Sequence, residues 1–128
     1  MTARRILIID DDIELCDELA DSLNSEGYSA ESVSDPVKGE ELIRAGGHDI
    51  ILLDYKMLVI GALEILKKLK ADKVRKRIFI VSGRPYLEQT LREERVLDMI
   101  VGIIAKPIHF ETLLNKISEP RPGEDFAV

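Results

Sequence analysis

Arg5-Ile-Leu-Ile-Ile-Asp10-Asp-Asp12 is the stretch that decides the fold, because an unbroken apolar run leads directly into three consecutive aspartates. A continuous apolar run of this length predicts a strand covered on both faces, as in a parallel sheet. A second run, Ile50-Ile-Leu-Leu-Asp54, also ends on an aspartate, and two more end at Ser82 and Lys106. Ligands of open α/β sheets bind at the carboxyl ends of parallel strands, so these side chains are expected in one crevice.

Strands alternate with helical patterns on both sides of this stretch. The strands are predicted at residues 4–10, 28–33, 50–54 and 78–82, and residues 99–105 are the fifth strand or its approach. The first helix stops near Gly27, and its buried face is predicted to comprise Ile13, Cys16, Leu19, Ala20 and Leu23. Later helices are predicted to begin near Pro36, Ala62, Tyr86 and Phe110. This alternation predicts a doubly wound α/β domain with three layers, in which helices flank a parallel sheet.

Composition and charge restrict what such a domain does. With 128 residues, 45% of them hydrophobic, the chain suits one domain with one core. A net charge of −6 argues against direct nucleic acid binding. The basic run from Lys67 to Arg77 is interpreted as a solvated helix end that leads into a strand, in preference to a phosphate-binding site. The single cysteine, Cys16, is expected to be a structural residue rather than a redox group. We expect a cytoplasmic domain, because no apolar stretch suits a membrane span or a cleavable signal.

The residues at the strand ends resemble those of receiver domains from bacterial two-component response regulators. The resemblance covers residues 4–118 and depends on Asp10-Asp11, Asp54, Ser82 and Lys106-Pro107, which follow in that order. It implies a flavodoxin-like five-stranded sheet of order 2-1-3-4-5, flanked by five helices. The receiver domain would comprise residues 1–118, and residues 119–128 would form a flexible tail or a linker stub.

The resemblance also implies a role for each of these residues. Asp54 would be the phosphoacceptor, whose carboxylate becomes an acyl phosphate. Lys106 would contact one phosphoryl oxygen, and a cis bond between Lys106 and Pro107 would direct its side chain inward. Ser82 would donate a hydrogen bond to another phosphoryl oxygen. Clustered carboxylates repel one another, so at least one pKa is expected to be raised without metal. Mg²⁺, or Mn²⁺ in its place, would be held by oxygen ligands from Asp10 (largely through a water), Asp11, Asp54 and the Lys56 backbone carbonyl.

The partners implied by the resemblance are a histidine kinase or phosphotransfer protein and an unidentified downstream protein. The domain would assist its own phosphorylation and dephosphorylation without turning over an external substrate, so it is not expected to be an enzyme. A homodimer through the fourth helix, fifth strand and fifth helix is one further expectation. No DNA-binding or enzymatic output domain follows residue 118 in this sequence, which is either a stand-alone regulator or the receiver of a longer chain.

Three departures from the family pattern concern regulation. Leu58 stands where many receivers have proline, and we favour local packing over an exposed patch for Leu58-Val-Ile60. Ile103 stands where receivers commonly have an aromatic switch residue, so its surroundings are either a permanent interface or simply buried under the fourth helix. Lys56 and Arg84 flank the path of the hydrolytic water. They are either spectators or modulators that prolong the life of the acyl phosphate.

Other functions fit the sequence less well. An Asp-x-Asp pattern at Asp10 and Asp12 is typical of haloacid-dehalogenase-type phosphatases, but the later acidic pair of those enzymes is not found. Flavin or dinucleotide binding would need a glycine-rich first turn, where this chain has three aspartates. One alternative stays open, namely a pseudo-receiver that binds proteins without a phosphorylation cycle. Ile103 and the altered loop after Asp54 favour that alternative.

Overall fold

Five parallel strands form the central sheet of the computed structural model, which describes residues 4–118. The strands are β1 (Arg5–Ile9), β2 (Ser29–Val33), β3 (Ile50–Asp54), β4 (Ile78–Ser82) and β5 (Gly102–Ala105). Their order in the sheet is β2-β1-β3-β4-β5, and each neighbouring pair is parallel. The predicted fold class and strand order are therefore confirmed. The predicted tail at residues 119–128 lies outside the described part of the chain.

Four helices connect successive strands and a fifth follows β5, and they begin close to where the sequence signals predict. They are α1 (Ile13–Ser25), α2 (Pro36–Ala45), α3 (Ala62–Ala71), α4 (Leu87–Glu93) and α5 (Phe110–Ser118), and a 3-10 helix, Leu97–Met99, precedes β5. The Asp12 side chain caps α1 by accepting from the N–H of Leu15, and Asp35 caps α2 in the same way. The fifth strand begins at Gly102, so the first residues of the predicted 99–105 segment are its approach: the 3-10 helix ends at Met99, and Ile100 and Val101 lead into the strand.

The core lies in two layers, one on each face of the sheet. Residues of α2, α3 and α4 pack on one face, and residues of α1 and α5 pack on the other. β3 and β4 are buried along their whole length, as their continuous apolar runs predict. Ile13 was predicted to face the core, but its side chain is 60% exposed. It occupies the first position of α1, and the buried stripe of that helix begins one turn later, at Cys16.

The basic run from Lys67 to Arg77 covers the end of α3 and the segment before β4, and most of it is exposed, as predicted for a solvated helix end. Ion pairs join this run to the end of α4 and the 3-10 helix. The N–O distances are 2.6, 3.1 and 3.2 Å for Lys67 with Glu94, Lys70 with Asp98, and Arg75 with Asp98. These contacts fix the flank of the domain between α3 and β5.

Among residues 4–118, none of the helices has both the length and the apolar character needed to cross a bilayer.

Candidate functional site

Three aspartates come together at the carboxyl ends of β1 and β3. Ile9 pairs with Leu53 across these neighbouring strands, which places the residues that follow side by side. One carboxylate oxygen from each of Asp10, Asp11 and Asp54 lies within 4.8 Å of the others. Asp10 and Asp54 are buried, and Asp11 is half-buried. Oxygen ligands at this spacing fit a hard divalent cation such as Mg²⁺, as the sequence predicted.

Lys106 supplies positive charge to this cluster from the end of β5. Its Nζ lies 2.8 Å from Asp54 Oδ1 and 3.2 Å from Asp10 Oδ2. The backbone N–H of Lys106 donates to the carbonyl oxygen of Ser82, which continues the pairing of β4 with β5. The Lys106–Pro107 peptide bond is cis, as the family resemblance implied. The structure thus joins the lysine and two of the aspartates into one ionic group.

Burial and charge together shift the ionisation of this group. Desolvation raises the pKa of the Asp54 carboxyl, the hydrogen bond from Lys106 opposes this, and repulsion from Asp10 and Asp11 adds to it. Desolvation on its own lowers the pKa of Lys106, but its pairing with Asp54 and Asp10 outweighs this, so that the pKa is raised. The predicted rise in one carboxylate pKa is confirmed in direction. Its largest cause is desolvation rather than the predicted repulsion.

Ser82 faces the same crevice from the end of β4. Its hydroxyl oxygen accepts a hydrogen bond from the backbone N–H of Arg84 at 3.0 Å. A pocket of about 730 Å³ is lined by Asp54, Ser82 and Lys106 together with residues of the loops after β3 and β4 and of the first turn of α3. The predicted acceptor, hydroxyl and lysine therefore share one open pocket. Such a pocket can admit a phosphoryl group to Asp54 from solvent.

Lys56 and Arg84 line the outer part of this pocket. Both side chains are exposed, and the Arg84 guanidinium carbon lies 5.7 Å from the centre of the Tyr55 ring. A cation at that distance over an aromatic face is attracted to it, which helps to hold Arg84 beside the pocket. The structure thus brings both predicted modulators to the site. Their effect on hydrolysis, and the role of the Lys56 carbonyl as a metal ligand, stay predictions.

The loop that follows Asp54 projects two apolar side chains into solvent. Leu58 and Val59 are 93% and 79% exposed, whereas Ile60 packs against the core. The prediction of local packing is therefore wrong for Leu58 and Val59. These side chains are exposed because the loop is held by its backbone, through a contact that the sequence did not reveal. The backbone N–H of Leu58 donates to Asp11 Oδ2 at 3.0 Å. That bond fastens the loop by its backbone, while both side chains remain exposed.

Ile103 lies in β5 and is half-buried. Part of it packs against the core layer on the side of α4. The rest lines a pocket of about 440 Å³ whose walls include Glu88 of α4, Ile100 and Lys116 of α5. Neither predicted interpretation of Ile103 is therefore excluded. The residue contributes to the core and also to an open surface between two helices.

Comparisons with known proteins identify the family. The family model described as "Response regulator receiver domain" matches residues 6–118. The response regulator MprA of Mycobacterium sp. (strain KMS) is 30% identical over 116 residues, which cover 88% of this chain and 48% of that protein. The chain belongs to the response regulator receiver domain family, and its fold and family place it in two-component signalling. It spans about half the length of the relatives it matches.

Two solved structures extend this similarity to the whole fold. The receiver domain protein (CheY-like) of Methanospirillum hungatei JF-1 is 26% identical, with a TM-score of 0.83, and 99% of this chain matches 100% of that one. The second structure comes from a family of redox sensors in the streptococci that evolved from two-component response regulators. It is also 26% identical, with a TM-score of 0.80, over 98% of this chain and 54% of that one. The resemblance inferred from the strand-end residues is thus confirmed.

Proposed function

We propose that this domain accepts a phosphoryl group on Asp54 from the phospho-His of a histidine kinase or phosphotransfer protein. The observation that carries the proposal is the 2.8 Å contact between Lys106 Nζ and Asp54 Oδ1, beside a cluster of three aspartates. A carboxylate nucleophile, a fixed cation and a set of metal ligands are the groups that phosphoryl transfer requires. All of them line or adjoin one open pocket.

The proposed transfer begins with attack by an Asp54 carboxylate oxygen on the phosphorus atom. The new P–O bond forms as the P–N bond breaks, and the electrons of the P–N bond return to the donor nitrogen. The donor imidazole carries a proton on its other ring nitrogen, so it leaves as a neutral group. Lys106 is a point charge beside the acceptor and stabilises the negative charge of the transferring group. Asp10, Asp11, Asp54 and the Lys56 carbonyl would hold Mg²⁺ or Mn²⁺, which when bound neutralises charge on the phosphoryl oxygens.

The proposed role is regulatory rather than enzymatic, since the acceptor is part of the protein itself. Phosphorylation would draw in the Ser82 hydroxyl and change the surface of α4, β5 and α5, to which Ile103 contributes. An unidentified downstream protein, or a second copy of the domain, would read that surface. The domain would act in the cytoplasm, where histidine kinases present their phosphoryl groups.

We also propose that Lys56 and Arg84 lengthen the life of the acyl phosphate. Both cations are exposed at the mouth of the pocket through which a hydrolytic water would approach Asp54. Loss of phosphate is expected to be slow, and faster in a double variant in which both residues are replaced by alanine. Rapid loss at the same rate in both proteins would refute the proposal.

A pseudo-receiver that binds partners without phosphorylation is the second candidate. The exposed side chains of Leu58 and Val59 and the aliphatic residue at Ile103 favour it.

A redox role through Cys16 has no support, although one similar structure is described as a redox sensor. Cys16 is buried, and burial, followed by repulsion from nearby aspartates, raises the pKa of its thiol to about 11. The reactive thiolate is therefore scarce at neutral pH.

The deciding experiment is intact-mass spectrometry after incubation with Mg²⁺ and acetyl phosphate. The proposal predicts a gain of one phosphate that requires Mg²⁺ and is lost in Asp54→Ala. Asp72→Ala is the matched control, because Asp72 is an exposed aspartate beyond α3. If the folded protein gains no phosphate from several donors, the pseudo-receiver is favoured.

A further inference from the structure

The backbone of Leu58 touches the aspartate cluster, although its side chain touches almost nothing. The N–H of Leu58 donates to Asp11 Oδ2 at 3.0 Å, and the side chain is 93% exposed. What this residue contributes to the site is therefore its backbone donor. Proline, which many receivers have at this position, has no such N–H.

The other two aspartates of the cluster are oriented by different donors. Asp10 accepts from the N–H of Asp12 and from Lys106, and Asp54 pairs with Lys106. Within residues 4–118, the hydrogen bond found for the Asp11 carboxylate comes from Leu58. Asp11 is also the least buried of the three. The Leu58 N–H is thus the hydrogen-bond donor found for the least buried carboxylate of the cluster.

We propose that the Leu58 N–H is a positioning donor that holds Asp11 toward Asp10 and Asp54 for a divalent cation. A carboxylate has two oxygens with several acceptor sites, so an N–H on Oδ2 leaves room for a metal. Carboxylate ligands are commonly oriented by such outer hydrogen bonds, whose removal weakens metal binding by about 10- to 100-fold. The proposal goes beyond the proposed function, from which it takes the identity of the cation site.

The same bond links the cation site to the exposed apolar loop. The exposed residues Leu58 and Val59 lie in the segment whose backbone donates a hydrogen bond to the Asp11 carboxylate. A bound cation relieves the repulsion among the three carboxylates and fixes Asp11, so it also fixes the acceptor of the Leu58 N–H. Cation binding is therefore expected to hold the two apolar side chains in one position.

The first test compares Leu58→Pro with Leu58→Ala in Mg²⁺ titrations followed by NMR, without any phosphodonor. Leu58→Ala removes the exposed side chain but keeps the N–H, so Mg²⁺ affinity is expected to stay unchanged. Leu58→Pro removes the donor, and affinity is expected to fall by about tenfold. Equal affinities in the two variants would overturn the proposal, as would a wild-type protein that binds no Mg²⁺.

A second measurement guards against distortion by proline, which also restricts the buried Met57 before it. Hydrogen exchange of the Leu58 amide in the unaltered protein is expected to slow several-fold when Mg²⁺ is added, and the Val59 amide serves as the internal reference. In Asp11→Asn the Mg²⁺ effect at Leu58 is expected to disappear. No slowing at Leu58 in the wild type would contradict the proposal. Failed phosphorylation with intact Mg²⁺ binding would contradict the proposed function and not this one.

Discussion

The crevice around Asp54 and the surface around Ile103 lie on the same domain but differ in how their residues are held. In the crevice, Lys106 is placed within 3.2 Å of two carboxylates, so specific atoms are paired. Around Ile103, an aliphatic side chain borders an open pocket between two helices. Phosphoryl chemistry requires particular charged atoms at fixed positions, whereas a signalling surface requires only a shape that a partner can recognise. The two regions are therefore expected to respond differently to substitution.

Replacing Lys106 tests the crevice and is expected to have the largest effect. Lys106→Ala leaves Asp10 and Asp54 buried without their cation. We expect phosphorylation to slow by about 100-fold, and the metal-free free energy of unfolding to fall by about 2 kcal/mol. Mass spectrometry over time and urea unfolding measure the two quantities. Lys116→Ala, beside the Ile103 pocket, is the control. Equal phosphorylation rates in the two variants would contradict a role for Lys106 in phosphoryl transfer.

Replacing Ile103 tests the surface between α4 and α5, the second region of the comparison. Ile103→Ala removes a half-buried side chain, so the free energy of unfolding is expected to fall by about 1–2 kcal/mol. The phosphorylation rate is expected to stay within about twofold of the wild type, because no atom of Ile103 belongs to the paired group in the crevice. A parallel Ile103→Tyr variant tests whether an aromatic ring is tolerated there. A large loss of phosphorylation in Ile103→Ala would show that the two regions are not separable.

The raised pKa of Asp54 predicts a smaller effect on stability, whose sign follows from proton binding. Folded Asp54 holds its proton more tightly than the unfolded chain does, so its contribution is unfavourable above the folded pKa. Asp54→Asn is therefore expected to be more stable than the wild type at neutral pH without metal. The difference should shrink as the pH falls toward the usual aspartate pKa of 3.8. Urea unfolding at several pH values checks this, and a gap that is independent of pH would count against it.

The ion pairs between α3 and the 3-10 helix predict the smallest effect. The hydrogen bond from Lys70 lowers the pKa of Asp98, desolvation opposes this, and Arg75 adds to the lowering. The stabilisation is thus present above the usual pKa and is lost as the pH falls through the lowered one. Because Asp98 is half exposed, Asp98→Asn is expected to cost less than about 1 kcal/mol, and less still in high salt. Asp21→Asn, exposed on α1, is the control in urea unfolding at two salt concentrations.

Much of the site was predictable because its residues stand at the ends of apolar runs. Asp10, Asp54, Ser82 and Lys106 each follow or end a strand, and parallel strands present these ends at one edge. The exposure of Ile13 and Leu58 was predicted wrongly. Apolar character and helical spacing say what a residue favours, but burial also needs another element to cover it. Nothing in the local sequence reports whether that element is present.

The sequence by itself determined the alternation of strands and helices, the caps at Asp12 and Asp35, and the set of residues at the strand ends. These depend on hydrophobic periodicity and on neighbouring residues, both of which are local. Only the tertiary structure decided which atoms meet. Lys106 reaches Asp10 across 96 residues, and the Leu58 N–H reaches Asp11 across 47. Such contacts depend on how loops and side chains settle against the finished sheet, so no local pattern specifies them.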